Sequence, residues 1–168
     1  IRTYDDFNYR IFALDTPMLP GERRTIGFTT ERAQRGFRNS GNETRVVPNG
    51  TFVNNAELAP FLGMERSGLL QDRAKRRKYG LPVEQRMPRL GDAPSRQFNY
   101  LRHDADFATA DITISTVADQ TPIAPGYKVS DVTRDGRRTA RFVTEAPVLP
   151  FFSVQSARYE VSRETYKG

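Results

Sequence analysis

The chain has 168 residues, 26 Lys and Arg against 20 Asp and Glu, one histidine, no cysteine and a formal charge of +6. Without cysteine there is no disulfide framework and no thiolate metal site, and no run reaches the ~18 to 20 apolar residues of a membrane span. The length suits one domain burying roughly 70% of its unfolded surface.

Nearly all the positive charge is arginine, since Lys75, Lys78, Lys128 and Lys167 are the only lysines. A basic balance points toward nucleic acid or an anionic membrane surface. Arginine is also a planar multi-donor group that pairs with carboxylates, so surface and interdomain salt bridges are the plainer reading. The chain starts at Ile1 without methionine and stops at Lys167-Gly168 without a polar tail, which suggests a segment of something longer.

In chain order, residues 7–14 (FNYRIFAL) alternate Phe7, Tyr9, Ile11 and Ala13 with Asn8, Arg10, Phe12 and Leu14, predicting a mostly buried strand. Pro17, Pro20 and Gly21 then turn the chain. Arg24 to Thr30 resumes alternation, with Ile26 and Phe28 inward, so two adjacent antiparallel strands are expected. Residues 34–50 read as loop around Phe37, with Thr44 to Val47 as a short candidate strand. The stretch 51–63 (TFVNNAELAPFLG) reads as a loop that packs its apolar residues and presents the amides of Asn54 and Asn55. Asn42 and Asn49 begin Asn-x-Thr sequons, which matter only in a eukaryotic secreted protein.

Residues 67–80 are the best helix candidate. Ser67 could cap its start, Asp72 lies early, the basic run Arg73, Lys75, Arg76, Arg77 and Lys78 loads its end, and Gly80 and Pro82 stop it. Its apolar side is narrow, so it belongs on the surface. The run resembles a nucleic-acid patch, but no aromatic platform or binding motif accompanies it, and nucleic acid is disfavoured. Prolines punctuate residues 80–94, and Ser95 to His103 suggests one more helical turn.

Three strand-like runs fill Asp106 to Val161. In the first, Ala108, Ala110, Ile112 and Ile114 face a core, and Thr109, Asp111, Thr113 and Ser115 face water. In the second, Ala140, Phe142 and Thr144 alternate with Arg141, Val143 and Glu145, and Asp135-Gly136 before it signals a hairpin. The third, Phe151 to Val161, is apolar on both sides, as a strand inside a sheet would be.

The residues of a complete active site are not assembled in the sequence. His103, flanked by Asp104 and Asp106, is the only imidazole, whereas a catalytic zinc usually takes three protein ligands. There is no Gly-x-Ser-x-Gly elbow, and no Gly-rich phosphate loop.

Taken as a set, PMLPGERRTIGFTT (residues 17–30), the Gly36-Phe37 loop, TFVNNAELAPFLG, DFATADITIS, Ala124-Pro125-Gly126-Tyr127 and RFVTEAPVLPFFSVQSARYEV resemble the amino-terminal β-domain of zinc aminopeptidases of the aminopeptidase N type. In that family a Phe-x-x-x-x-Pro-x-x-x-x-Phe segment, here Phe142, Pro147 and Phe152, hands the chain to the catalytic domain. The RRTIGF, RGFRNSG, NGTFVNN, DRAKRRKYGLP and ADQTPIAPGY segments are similar to those of bacterial proteins that join an ABC transporter permease to such a peptidase domain.

The resemblance covers almost the whole chain. It implies an all-β fold, a saddle-like β-sandwich of two antiparallel sheets with one short basic surface helix. Residues 1–168 would form a single β-domain: 1–63 a first sheet portion with loops, 64–104 a basic helical or irregular insertion, and 105–168 a second sheet and exit strand. The implied role is non-catalytic support, packing on the catalytic peptidase domain of the same chain and walling its substrate cleft, in the soluble part of an integral inner-membrane protein. Zinc is expected downstream and no cofactor in this segment, because His-Glu-x-x-His is absent.

Asn54 and Asn55 are the cleft candidates, although an amide there can equally satisfy loop backbone. Arg73, Lys75, Arg76, Arg77 and Lys78 are the anionic-surface candidates, facing the permease, lipid headgroups or nothing. An exposed sheet edge near Ile1 could pair with a second copy. The alternative is a free-standing β-sandwich module binding a peptide, glycan or anionic surface.

Overall fold

The structure is a computed structural model that describes residues 1–33, 36, 43–60, 70–83, 89–97 and 107–166. In chain order its strands are β1 (Arg2–Tyr4), β2 (Tyr9–Ile11), β3 (Val46–Val47), β4 (Gly50–Asn54), β5 (Asp111–Val117), β6 (Thr121–Ile123), β7 (Tyr127–Arg134), β8 (Arg137–Val143) and β9 (Ser153–Ala157). The α-helices are α1 (Asn55–Leu58) and α2 (Arg73–Lys78), and 3-10 turns cover Asp5–Phe7 and Ala93–Gln97. The fold class is all-β. Among the described residues the strands form three antiparallel sheets, where two were expected. The chain divides into two compact units, Ile1–Thr29 with Phe61–Gln97, and Thr30–Pro60 with Phe98–Gly168.

In the first unit, β1 and β2 form a hairpin with Arg2 opposite Ile11 and Tyr4 opposite Tyr9. Asn8 takes a left-handed φ of 48° and donates its N–H to the Asp5 carbonyl at 3.0 Å. The buried strand expected over 7–14 is thus shorter and largely exposed. Its partner is β1 and not residues 24–30, which form no strand, and Ile26 and Phe28 are exposed instead of inward. Alternation alone supplies no hydrogen-bond ladder, and two strands cannot cover a face. The turn between them is as predicted: Glu22 N–H reaches the Leu19 carbonyl at 3.1 Å across Pro20 and Gly21, whose φ of 85° suits a type II turn.

Among the described residues the helix expected over 67–80 is α2, capped by Asp72, and residues 67–69, Ser67 with them, lie outside the described residues. The turn expected over 95–103 is shifted to Ala93–Gln97, and residues 98–103 lie outside the description.

In the second unit one sheet has the order β5-β8-β7 and the other β3-β4-β9-β6. The β7–β8 hairpin closes at Asp135 and Gly136, with φ of 50° and 74°, which is the primed turn that Asp-Gly predicts. Ile112 pairs with Phe142 and Ile114 with Ala140 on the inner face, where Ala140 is fully buried. β9 lies between β4 and β6, inside a sheet as expected, but it spans only Ser153–Ala157 of the 151–161 run, and Phe151, Tyr159 and Val161 are exposed instead of covered.

Over 51–60 the expected loop is instead β4 followed by α1, and residues 61–63 of that stretch lie outside the described residues. Thr51 and Val53 alternate with Phe52 and Asn54 and pair with Ser156 and Val154 of β9, a partner about a hundred positions away in the chain. Non-local pairing of this kind leaves little local signal. The short candidate strand at 44–47 appears as β3, joined to β4 by Pro48-Asn49.

Candidate functional site

Four-stranded registry builds one uncovered face. Phe52 of β4 and Ile123 of β6 both stand opposite Gln155 of β9, so the three side chains form a row across the sheet. Phe52 is 56% and Ile123 42% exposed. Gln155 is held between them: its Nε2 donates to Ser153 Oγ at 2.7 Å, and its Oε1 accepts from the Tyr159 hydroxyl at 3.1 Å. Gly50 lies on the same face. A Cβ there would stand 2.6 Å from the Ser156 carbonyl oxygen and 2.8 Å from Ala157 Cβ, so only glycine lets β4 approach β9 this closely.

The opposite face is closed by a polar cluster. Gln120 Oε1 accepts from Thr116 Oγ1 at 2.8 Å and from Ser156 Oγ at 2.9 Å, while Gln120 Nε2 donates to the Pro48 carbonyl at 3.3 Å. All three side chains are buried. Because Thr116 belongs to β5 and Ser156 to β9, the cluster ties the two sheets of this unit together. β6 adds to that junction by touching both β5 and β8.

The cleft candidates have local structural roles. Asn54 ends β4 on the face that carries Phe52 and forms a capping box with Glu57, whose Oε2 accepts the Asn54 N–H at 3.2 Å. Asn55 spans a much longer separation. Its Nδ2 donates to the Pro150 carbonyl at 2.6 Å, its Oδ1 accepts from Phe152 N–H at 3.4 Å, and its own N–H reaches the Phe152 carbonyl at 2.9 Å. Asn55 therefore fixes how the chain approaches β9.

Five carboxylates of the second unit are tied to arginine. Asp131 receives both Nε and Nη2 of Arg138, at 2.8 and 2.7 Å, and Lys128 Nζ at 2.6 Å. Arg138, and then Lys128, hold its carboxyl far below the usual carboxylate range. Asp111 receives Arg141 in the same bidentate manner, which lowers its carboxyl. Arg158 joins Asp119 at 2.5 Å and the Pro48 carbonyl at 3.0 Å, and Arg45 bonds Glu57. Glu43 accepts the Arg45 backbone N–H at 2.9 Å, with Arg45 and Arg32 beside it, and its carboxyl is lowered.

Among the described residues no three His, Asp or Glu side chains converge as metal ligands, and no helix is long and apolar enough to cross a membrane. His103, Asp104 and Asp106 lie outside the described residues. Of the anionic-surface candidates, Arg73, Lys75, Arg77 and Lys78 are exposed on α2, and Arg76 is half-buried.

The sequence reading missed Gln120, Ser156 and Gln155. Thr116 carried a signal, since it falls on the face of Ile112 and Ile114 where an apolar residue is expected. Comparison of the chain with protein-family models, with curated proteins and with solved structures finds no match.

Proposed function

We propose that the chain is the non-catalytic amino-terminal β-domain of a membrane-linked zinc aminopeptidase, of the kind joined to bacterial ABC transporter permeases. In this reading the two larger sheets are the layers of a saddle-like sandwich. The domain packs on the catalytic domain and walls one side of the substrate cleft. The observation that carries the reading is the uncovered row Phe52–Gln155–Ile123 with Asn54 beside it. Apolar side chains left open on a sheet face and rimmed by amides suit a surface that another domain covers. The buried cluster of Thr116, Gln120 and Ser156 supports the layered arrangement by joining the two sheets. The segment carrying Phe142, Pro147 and Phe152 runs from β8 to the start of β9, with Val148 bridged to Ala108, and so links both layers.

Asp131, Asp111, Asp119 and Glu57 do not fit a zinc site, because each is neutralised by an arginine. The zinc of this reading belongs to another part of the chain, and no chemical step is assigned to these residues. Sequencing the encoding gene beyond Gly168 tests the reading. A downstream His-Glu-x-x-His with a later glutamate supports it, and a stop codon soon after Gly168 overturns it. At the protein level, Phe52→Arg with Ile123→Arg should abolish association with the separately expressed downstream domain; undiminished association overturns the proposed packing face.

A further inference from the structure

Helix α2 is built to hold cations outward. At its start Asp72 Oδ1 accepts the Lys75 N–H at 2.7 Å. At its end Gly80, with φ of 66°, closes a Schellman motif: Leu81 N–H reaches the Arg76 carbonyl at 2.9 Å and Gly80 N–H the Arg77 carbonyl at 3.1 Å. Arg76 differs from its neighbours. Its Nη1 donates to the Leu70 carbonyl at 2.6 Å and its Nε to the Pro82 carbonyl at 2.8 Å, fastening the chain before and after the helix.

At about 100° per residue, Arg73, Arg77, Lys78 and Lys75 follow an arc centred opposite Arg76. All four are exposed, and none has a carboxylate partner among the described residues. The one acid of the element, Asp72, is used as its cap. Immediately beyond, Tyr79 and Val83 are 66% and 64% exposed, and Leu81 is exposed between them. The Arg76 bond to the Pro82 carbonyl keeps this apolar stretch beside the cations.

Unpaired cations next to exposed apolar tips match a surface that is negative outside and apolar just beneath, which is an anionic bilayer. Nucleic acid fits less well, because stacking on single strands uses several aromatic platforms and Tyr79 is the one ring of this stretch. We propose that α2 with Tyr79 to Val83 is a peripheral contact site for an anionic phospholipid surface. The cations meet headgroup phosphates, while Tyr79, Leu81 and Val83 enter the interface. A six-residue helix is too short to anchor alone, so the contact is shallow and reversible. This inference does not rest on the peptidase reading and can fail or hold without it.

The test is co-sedimentation of the 168-residue chain with vesicles of phosphatidylcholine alone and of phosphatidylcholine with a quarter phosphatidylglycerol. Binding is expected only to the latter, falling steeply as salt is raised. Each change of Arg73, Lys75, Arg77 or Lys78 to Gln should lower the partition coefficient roughly fivefold, and the quadruple variant should lose binding. Tyr79→Ser with Val83→Ser should weaken binding and leave the salt dependence unchanged. Far-UV circular dichroism of every variant should match the parent, because no backbone bond of the caps uses these side chains. Equal binding to phosphatidylcholine alone, retention by the quadruple variant, displacement by inorganic phosphate, or tighter binding to an oligonucleotide than to vesicles overturns the proposal.

Discussion

Gln120→Leu is the sharpest test of how the second unit is held together. Leucine matches the volume of glutamine but removes both the acceptor shared by Thr116 and Ser156 and the donor to the Pro48 carbonyl. The two hydroxyls lie 3.2 Å apart, so one can donate to the other. That leaves one hydroxyl hydrogen without a partner in a buried site, while the Pro48 carbonyl keeps its bond from Arg158 Nη1 at 3.0 Å. At about 1–3 kcal/mol for a buried group left unsatisfied, the single change should cost about 1–3 kcal/mol. The triple change Thr116→Val, Gln120→Leu and Ser156→Ala removes almost every polar atom of the cluster at nearly constant shape, and should cost less than Gln120→Leu alone. Urea unfolding followed by circular dichroism measures both, read as a midpoint shift at constant slope. A Gln120→Leu protein within about 0.5 kcal/mol of the parent, or a triple variant destabilised by the sum of its singles, would refute the reasoning.

Three other outcomes follow from single residues. Gly126→Ala should be far more damaging than Gly136→Ala: both positions have positive φ, but a Cβ at Gly126 would stand 2.4 Å from the Val143 carbonyl oxygen while Gly136 has open space. Gly136→Ala should cost about 1–2 kcal/mol in a urea melt, and parity between the two would refute the steric argument. Because the Asp131 carboxyl is lowered in the folded chain, its contribution is fully present above its unfolded value of about 4 and is lost as pH falls toward the folded one. Asp131→Asn should therefore flatten the acid limb of a stability–pH profile; an unchanged slope there would exclude this pair as its source. Asn55→Asp should destabilise nearly as much as Asn55→Ala in thermal melts, since a carboxylate cannot donate to the Pro150 carbonyl; full rescue by Asp would show that this bond contributes nothing.

What the sequence made legible were the features written within a few residues of one another. Asp135-Gly136 encodes its own turn, Pro20-Gly21 likewise, and the alternation from Ala110 to Ser115 and from Ala140 to Glu145 states which side is inward, although Ala108, expected inward, is exposed. The run around Phe152 and Val154 reads as a strand inside a sheet, and β9 is one, although the apolar residues Phe151, Tyr159 and Val161 of that run are exposed. Illegible were features that need a distant partner. Phe52 and Val53 read as loop because the strand that pairs them lies at 153–157, and Ile26 and Phe28 read as inward although no neighbouring strand receives them. Asn55 looked like a ligand-facing amide for the same reason, because its acceptor at Pro150 is visible only after folding. The alternation rule gives faces, not partners.

The arginines of the described residues are used in two ways. In the second unit, Arg138, Arg141, Arg158 and Arg45 each hold a carboxylate, and these pairs fix neighbouring strands or loops to one another. Arginine there acts as a planar cross-link, as its abundance over lysine suggested. Such pairs add little to the field outside the protein, because each cation is cancelled within a few ångströms. On α2 the arrangement is reversed: Arg76 alone is used internally, through carbonyls instead of a carboxylate, and its fixed position leaves Arg73, Lys75, Arg77 and Lys78 outward and uncompensated. Four uncompensated cations on one short helix act on an anion within a Debye length, about 8 Å at physiological salt. Neutralising Arg141 should leave vesicle binding unchanged, whereas neutralising Arg77 should weaken it. The same formal charge is removed in each case, so the contrast separates local geometry from net charge.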